Sequence, residues 1–269
     1  MTEARPAISE YINLGEAIPY AEYQRHINSY IFASKFVQNK VVLDIACGSG
    51  TGTTYLGGKG AKIVIGADVS PDALRDAKSW NKGRERVEFM LSDAEVLPFV
   101  DNSFDVIVSL ETIEHLKHPD RFLAECRRVL GKKGIFVCST PNKKVYSPLF
   151  RKPVIPYHVR EFLPEEFYDL LSKYFVNVEP YGQQQLNLGN KMKLQLVYST
   201  AHILFTVFCK DRMRSFLYRL YRLVSREPCV PGFREDIDEM VDRNYEVVSV
   251  RNSSYKTPRI MVAVAEAED

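Results

Sequence analysis

Acidic and imidazole side chains are concentrated in two short segments of the chain. The segment ETIEH contributes Glu111, Glu114 and His115, and the later segment VIPYHVREF contributes His158. Spacings of three and four residues within ETIEH place its side chains on one face if a helix begins there. Two carboxylates and two imidazoles form a ligand set for a divalent cation, Mg²⁺ or a similar ion. Without a metal, His158 or His115 is the candidate general base, because an imidazole titrates near neutral pH.

A second group of polar residues follows strand-like segments nearer the N-terminus. The stretch VVLDIACGSGTGT, residues 41–53, contains Asp44 and then glycines at three alternate positions, Gly48, Gly50 and Gly52. Asp68 ends the next strand-like segment, and Asp93 follows the one after it. Glycines between a strand and a helix let a ligand approach the backbone closely. The acids would lie along the crevice where open parallel sheets bind ligands, so the pattern predicts a nucleotide-like cofactor.

The elements that must position these residues alternate from about residue 40 to about residue 180. Six candidate strands are short, apolar and rich in β-branched residues, as strands buried on both faces are: 41–46, 62–68, 87–92, 104–110, 134–140 and 175–182. Helix-like patterns cover 70–80, 118–134 and 163–175, and a last strand is predicted over 259–267. This order predicts an α/β fold with a doubly wound, seven-stranded sheet.

The rest of the chain is divided around that core. We predict a core of residues 41–182 and 246–269, preceded by an N-terminal helical lid over 1–40. Residues 183–245 are too long for a plain loop and are predicted to form a helical insertion before the last strand.

The predicted insertion is strongly basic. Residues 186–226 hold eight lysines and arginines against one acid, Asp211, and their pattern indicates a basic amphipathic helix. Three interpretations remain open from the sequence: a solvated helix that covers the core, a cap for an anionic substrate, or a peripheral contact with a membrane surface.

The composition is that of a globular protein, with 45% hydrophobic and 26% charged residues and a net charge of +2. The five cysteines form no CxxC pair and are odd in number, which favours reduced, buried thiols. The N-terminus lacks the order of a signal peptide, and no apolar run reaches the ~18 residues that span a bilayer. We therefore expect a cytoplasmic protein.

The ordered motifs resemble the class I S-adenosylmethionine-dependent methyltransferases. The resemblance covers residues 40–180 and the last strand, through VVLDIACGSGTG, GADVSPDAL, SDAEVLPFVDNSFDVIVSLETIEHL and GIFVCSTPN. It implies a Rossmann-like fold with S-adenosylmethionine as the cofactor. A dinucleotide dehydrogenase is disfavoured for two reasons. Its GxGxxG motif has the third glycine one position later than Gly52, and its cofactor does not require an acid at the position of Asp93.

The resemblance also implies roles for residues near the strand ends. Asp44, with Ala46, Gly48 and Gly50, would surround the methionine part of the cofactor. Asp68 and Val69 would hold the ribose, and Asp93 and Ala94 would meet the adenine. Leu110 and Glu111 would line the crevice near the sulfonium, which makes Glu111 a third candidate catalytic residue. Ala46 stands where the family often has glycine.

Two further resemblances concern the methyl acceptor. The ETIEH segment with His158 is similar to metal-assisted O-methyltransferases, those of ubiquinone biosynthesis and those acting on the 3′-end diol of small RNAs. It implies a metal set of Glu111, Glu114, His115 and His158. ETIEH together with HVREFLPEEF also resembles methyltransferases encoded among glycan-building enzymes.

We therefore predict transfer of a methyl group to a hydroxyl of a small molecule, with a sugar or glycan precursor preferred. The basic insertion suits an anionic sugar nucleotide or a lipid-linked sugar. Nucleic acid is not the expected partner, because no aromatic-plus-basic platform for single strands is evident. A non-catalytic S-adenosylmethionine-binding protein remains the alternative from another class.

Overall fold

The computed structural model describes residues 18–82, 85–148, 153, 155, 157–185, 229–230, 242, 245–251 and 258–268. The predicted basic helix over 186–226 lies outside the described residues, as does the start of the predicted N-terminal lid. The division of the chain into lid, core and insertion therefore stays a prediction.

The described helices and strands follow one another in the alternating order expected from the sequence. In chain order they are β1 (Ile18–Pro19), α1 (Tyr20–Ala33), β2 (Val41–Ile45), α2 (Thr51–Gly58), β3 (Ile63–Asp68), α3 (Pro71–Trp80), β4 (Val87–Leu91), β5 (Phe104–Leu110), α4 (Pro119–Val129), β6 (Leu130–Pro141), α5 (Lys143–Tyr146), α6 (Pro164–Leu171), β7 (Val176–Gln185), β8 (Cys229–Val230), β9 (Val247–Ser249) and β10 (Pro258–Glu266).

One sheet forms the centre of the molecule, with the strand order β4-β3-β2-β5-β6-β10-β7-β9. The first five of these strands are parallel, and β10 runs antiparallel between β6 and β7. The Rossmann-like α/β prediction is confirmed, but the predicted number of seven strands is wrong, because the described part of the chain already gives the sheet eight. The additional strand, β9, is only three residues long, which is too short to show a strand period in the sequence.

The boundary between α4 and β6 also differs from the prediction. The helix predicted over 118–134 ends at Val129, and Leu130 is already extended and paired with Phe104 of β5. The basic last turn is present as Arg127 and Arg128. The GKKG sequence that indicated a helix end lies within the bounds of β6, at a register irregularity where the pairing with β5 passes from Leu130 to Ile135 and Lys133 has a φ angle of 55°.

Apolar side chains cover both faces of the sheet. One core cluster includes residues of α1, α2 and α3, and the other includes residues of α4 and α6. The predicted cap of α3 is present, with the Ser70 hydroxyl accepting from the Ala73 amide at 3.3 Å and Pro71 in the first turn. This packing fixes the carboxyl ends of the parallel strands, where the candidate site lies.

Among the residues that the structure describes, Cys47, Cys126 and Cys138 are buried free thiols. Within the same residues, each helix is too short or too polar to cross a bilayer.

Candidate active site

The turn after β2 takes an unusual backbone conformation. Ala46 and Gly48 have φ angles of 60° and 55°, in the left-handed region that favours glycine. The Gly48 amide donates to Asp68 Oδ2 at 2.9 Å, and the Ser70 amide donates to Asp68 Oδ1 at 2.8 Å. Asp68 at the end of β3 therefore joins the turn to the start of α3, and its half-buried carboxylate keeps lone pairs for a ligand.

The other two glycines of the turn are explained by packing inside the protein. A Cβ at Gly50 would lie 2.5 Å from the Phe89 ring and 2.6 Å from the side chain of Ala77. A Cβ at Gly52 would lie 2.0 Å from the ring of Tyr30 in α1. Gly50 and Gly52 are thus needed because side chains occupy the space beside them, and only their backbone groups remain for a ligand.

Asp44 lies under the turn, fully buried. Its carboxylate accepts from Thr53 Oγ1 at 2.6 Å, and the Tyr30 hydroxyl donates to it at 3.2 Å from each oxygen. Burial raises the pKa of Asp44 to about 7, although the bonds from Thr53 and Tyr30 act in the opposite direction. Asp44 therefore connects β2 to α1 and α2 through hydrogen bonds. In the structure, these bonds support the turn.

The predicted nucleoside side of the site is open. Asp93 is exposed, and its Oδ1 accepts from the Glu95 amide at 3.0 Å. Val69 is 61% exposed beside Asp68, and Ala94 is partly buried against the core. Acids next to exposed apolar side chains suit the hydroxyls, amine and ring of an adenosine.

The end of β5 repeats the left-handed backbone of the turn after β2. Glu111 has a φ angle of 50°, and its amide donates to both Ser139 oxygens, O and Oγ, at 3.1 Å. Leu110, immediately before it, is buried. Because β2 and β5 pair in parallel, Ala46 and Glu111 put two strained positions at the ends of neighbouring strands, as functional sites often do.

A cluster of one carboxylate and two imidazoles, in which only His115 is partly exposed, follows Glu111. Glu114 lies in a single 3₁₀ turn, and the Thr140 hydroxyl donates to its Oε2 at 2.9 Å. Its other oxygen, Oε1, is buried and has no hydrogen-bond partner among the described residues. Burial raises the pKa of Glu114 to about 7, while His115 and His158 lower it.

His115 and His158 come together with Glu114, although they are distant in sequence. Their rings are 5.0 Å apart in an edge-to-face arrangement, and His115 Nε2 is 4.0 Å from Glu114 Oε1. One ligand atom from each of the three residues lies within 4.8 Å of the others. The orphaned carboxylate oxygen and two imidazoles fit a divalent cation. Glu111, the fourth predicted ligand, is outside this group of three.

Further residues of the cluster were not found by the sequence reasoning. Glu161 Oε1 is 3.1 Å from His158 Nδ1, and the Ser147 hydroxyl donates to Glu161 Oε2. The segment holding His158 and Glu161 is attached to ETIEH, because the Val159 and Arg160 amides donate to the Glu114 carbonyl. The spacing of His158 and Glu161, three residues apart in HVRE, was the signal that could have revealed the pair.

Comparison with known proteins agrees with this geometry. The family model described as a methyltransferase domain matches residues 43–138. A probable S-adenosylmethionine-dependent methyltransferase of Mycobacterium tuberculosis is 35% identical over 161 residues, which are 60% of this chain and 57% of that protein. A ubiquinone biosynthesis O-methyltransferase of Cereibacter sphaeroides is 30% identical over 146 residues, 49% of this chain and 58% of that protein. The crystal structure of the YcgJ protein of Bacillus subtilis has the same fold, with a TM-score of 0.56 and 18% identity over 91% of this chain and 99% of that chain.

The sheet topology and the acids at its strand ends define a Rossmann-like cofactor-binding domain. More particularly, residues 43–138 form the core of a class I S-adenosylmethionine-dependent methyltransferase domain, as the motifs predicted. S-adenosylmethionine is the cofactor of that family. The chain spans less than two thirds of the length of these curated relatives, 57% and 58% of the two proteins described.

Proposed function

We propose that this protein transfers the methyl group of S-adenosylmethionine to a hydroxyl oxygen of a small molecule, and that the acceptor is a sugar or glycan precursor. The observation that carries the proposal is the cluster of Glu114, His115 and His158, which begins three residues after Glu111 at the end of β5. Imidazoles beside the expected methyl donor provide what an oxygen acceptor needs, a group that receives its proton.

On the cofactor side, the residues bind and orient S-adenosylmethionine. S-adenosylmethionine supplies an electrophilic methyl carbon on its sulfonium. Asp68 accepts from the ribose hydroxyls while it holds the Gly48 amide, and Asp93 accepts from the adenine amine. The left-handed backbone at Ala46 and Gly48 turns the chain after β2, and the methionine part would lie against this turn.

On the acceptor side, His158 takes the proton. As the acceptor oxygen bonds to the methyl carbon, the bond from that carbon to sulfur breaks, and the hydroxyl proton passes to His158. The Glu114 carboxylate lies beside His158 and stabilises the positive charge that the imidazole gains. Holding the hydroxyl in line with the sulfur–carbon bond supplies much of the rate.

The acceptor class is supported by chemistry outside the cluster. The name of the Cereibacter sphaeroides relative describes an O-methyltransferase, which favours oxygen as the acceptor atom. The basic composition of 186–226 favours an acceptor that carries phosphate, such as a sugar nucleotide or a lipid-linked sugar. A lipid-linked acceptor would bring this segment to a membrane surface, as its basic amphipathic pattern allows.

The unpartnered Glu114 Oε1 favours a second candidate, metal-assisted O-methylation of neighbouring hydroxyls on a quinone-type ring or a similar diol. Glu114, His115 and His158 would hold the divalent ion, which lowers the pKa of a bound hydroxyl. The same residues would then orient the acceptor by binding that ion rather than by taking its proton.

A transfer assay with labelled S-adenosylmethionine tests both candidates. The acceptor panel should contain sugar nucleotides, polyprenyl-phosphate sugars and catechols, each assayed with and without a chelator. We expect label in a sugar-bearing acceptor and, if the metal is used, a rate that chelation abolishes and Mg²⁺ restores. Binding of the cofactor with no transfer to any acceptor would support a non-catalytic binding protein instead.

A further inference from the structure

We propose that Glu161 is a positioning residue for His158, and that Ser147 holds Glu161 in place. This inference rests on the proposed function, in which His158 receives a proton or binds a metal. It assigns a purpose to two buried residues that lie outside the cofactor motifs.

The geometry of the pair is well defined. His158 Nδ1 and Glu161 Oε1 are 3.1 Å apart, and the two side chains are 3% and 0% exposed. The second carboxylate oxygen, Oε2, accepts from the Ser147 hydroxyl. Both oxygens of this buried carboxylate therefore have a partner, and neither water nor a surface cation is needed to satisfy them.

This arrangement selects one form of the imidazole. A carboxylate only accepts hydrogen bonds, so the hydrogen between the two side chains is on His158 Nδ1. In the neutral ring the lone pair is then on Nε2, the nitrogen that does not contact Glu161, and we assign this nitrogen to the cluster with Glu114 and His115. Nε2 is thereby prepared either to take a proton or to bind a metal, so the assignment holds for both candidate chemistries.

The backbone around the pair keeps this orientation. The Val159 and Arg160 amides donate to the Glu114 carbonyl at 2.8 and 3.1 Å. On the other side of the pair, the Lys143 amide donates to the Phe162 carbonyl at 3.0 Å. The segment from His158 to Glu161 is thus held between the ETIEH turn and α5, whose next residue is Ser147.

A purely structural ion pair would have the same distances, so the test must measure which imidazole nitrogen of His158 carries the hydrogen. We would label the full-length protein with ¹⁵N-histidine and record the tautomer of His158 by long-range ¹⁵N–¹H correlation. The His158→Asn variant assigns the signal among the five histidines. We expect the Nδ1–H tautomer in the wild type and a mixture that includes the Nε2–H tautomer in Glu161→Ala.

Turnover gives the second readout. Outer partners of a functional histidine typically contribute about 10–100-fold, so we expect kcat to fall by that factor in Glu161→Ala while the Kd for S-adenosylmethionine stays within about twofold. Glu161→Gln, which retains an acceptor oxygen for Nδ1 and is the variant to use if Glu161→Ala does not fold, should keep the tautomer and most of kcat. The matched control is Glu165→Gln, an exposed acid that pairs with Lys144.

The outcomes separate this inference from the proposed function. An Nε2–H tautomer in the wild type, or full kcat in a folded Glu161→Ala variant, would overturn the positioning role. A wild-type protein that shows the Nδ1–H tautomer but transfers no methyl group to any acceptor would instead contradict the proposed function and leave the orientation of His158 supported.

Discussion

The cofactor half and the acceptor half of the site are built in different ways. The cofactor half consists of strand ends, where the backbone turns at Ala46 and Gly48 and the carboxylates of Asp68 and Asp93 reach the surface. The acceptor half consists of buried side chains, with Glu114 and Glu161 enclosed in the protein and joined to each other through histidines. An exposed carboxylate at a strand end binds a ligand at little cost, whereas a buried one must be satisfied by partners.

The two halves should therefore respond differently to substitution. Loss of a group in the cofactor half removes contacts to a ligand and should appear in its Kd. Loss of a group in the acceptor half disturbs a network that acts during the reaction and should appear in kcat.

The largest effect is expected for His158→Asn. The asparagine amide can still donate to Glu161, but the variant lacks the nitrogen that we propose receives the proton, so kcat should fall by about 10²–10⁴-fold. The Kd for S-adenosylmethionine, measured by calorimetry, should not change. His118→Asn, at an exposed histidine before α4, is the control. A large loss of cofactor binding in His158→Asn would show that the two halves are not separate.

Asp68→Ala should weaken S-adenosylmethionine binding by about 100-fold, or about 2.7 kcal/mol. The variant loses the proposed acceptor for the ribose hydroxyls and leaves the Gly48 and Ser70 amides without their carboxylate. Titration calorimetry measures the change, with Asp72→Ala in the exposed first turn of α3 as the control. Unaltered affinity in Asp68→Ala would place the cofactor elsewhere.

The buried Asp44 should make stability depend on pH. Its folded pKa of about 7 is raised above the ordinary value of 3.8, so the native state keeps a proton that the unfolded chain releases. That contribution is complete below about pH 4 and is lost as the pH rises through about 7, by at most about 1.4 kcal/mol per pH unit. Urea unfolding from pH 5 to pH 8 should show the wild type losing stability relative to Asp44→Asn. Parallel pH curves would mean that Asp44 is ionised in the fold.

The smallest effect is expected for Ala46→Gly. Ala46 has a φ angle of 60°, where an alanine costs roughly 1–2 kcal/mol and a glycine does not. After the greater freedom of glycine in the unfolded chain is subtracted, the variant should gain under about 1 kcal/mol in free energy of unfolding. Denaturant midpoints measure this gain, and Ala61→Gly, at a buried alanine outside the turn, should instead lose stability. A loss in Ala46→Gly would mean that its methyl group makes contacts that outweigh the strain.

The cofactor half was largely predictable because its signals are local. Apolar β-branched runs, the glycine turn, and Asp68 and Asp93 at the strand ends can each be read within a few residues. The helix predicted over 118–134 was too long, because Leu130 pairs with Phe104 of β5. A pattern of neighbouring residues carries no information about so distant a partner.

The acceptor half could be predicted only in part, because its partners are far apart in sequence. Thr140 contacts Glu114 across 26 residues, and Ser147 contacts Glu161 across 14. The ETIEH motif revealed the residues that could do chemistry but not those that hold them. For the same reason, Gly52 was read as a ligand-facing glycine, although the ring of Tyr30, 22 residues earlier, lies against it.

The contact between Tyr30 and Gly52 determines where this domain can be truncated or fused to another sequence. The family match begins at residue 43, yet the ring of Tyr30 fills the space at Gly52 and its hydroxyl reaches Asp44. Phe32 and Val37 belong to the same core cluster. A chimaeric protein in which the residues before 43 are replaced would have a cavity beside Gly52. Its buried Asp44 carboxylate would also lack the hydrogen bond from the Tyr30 hydroxyl. The smallest portable unit of this protein therefore begins before α1.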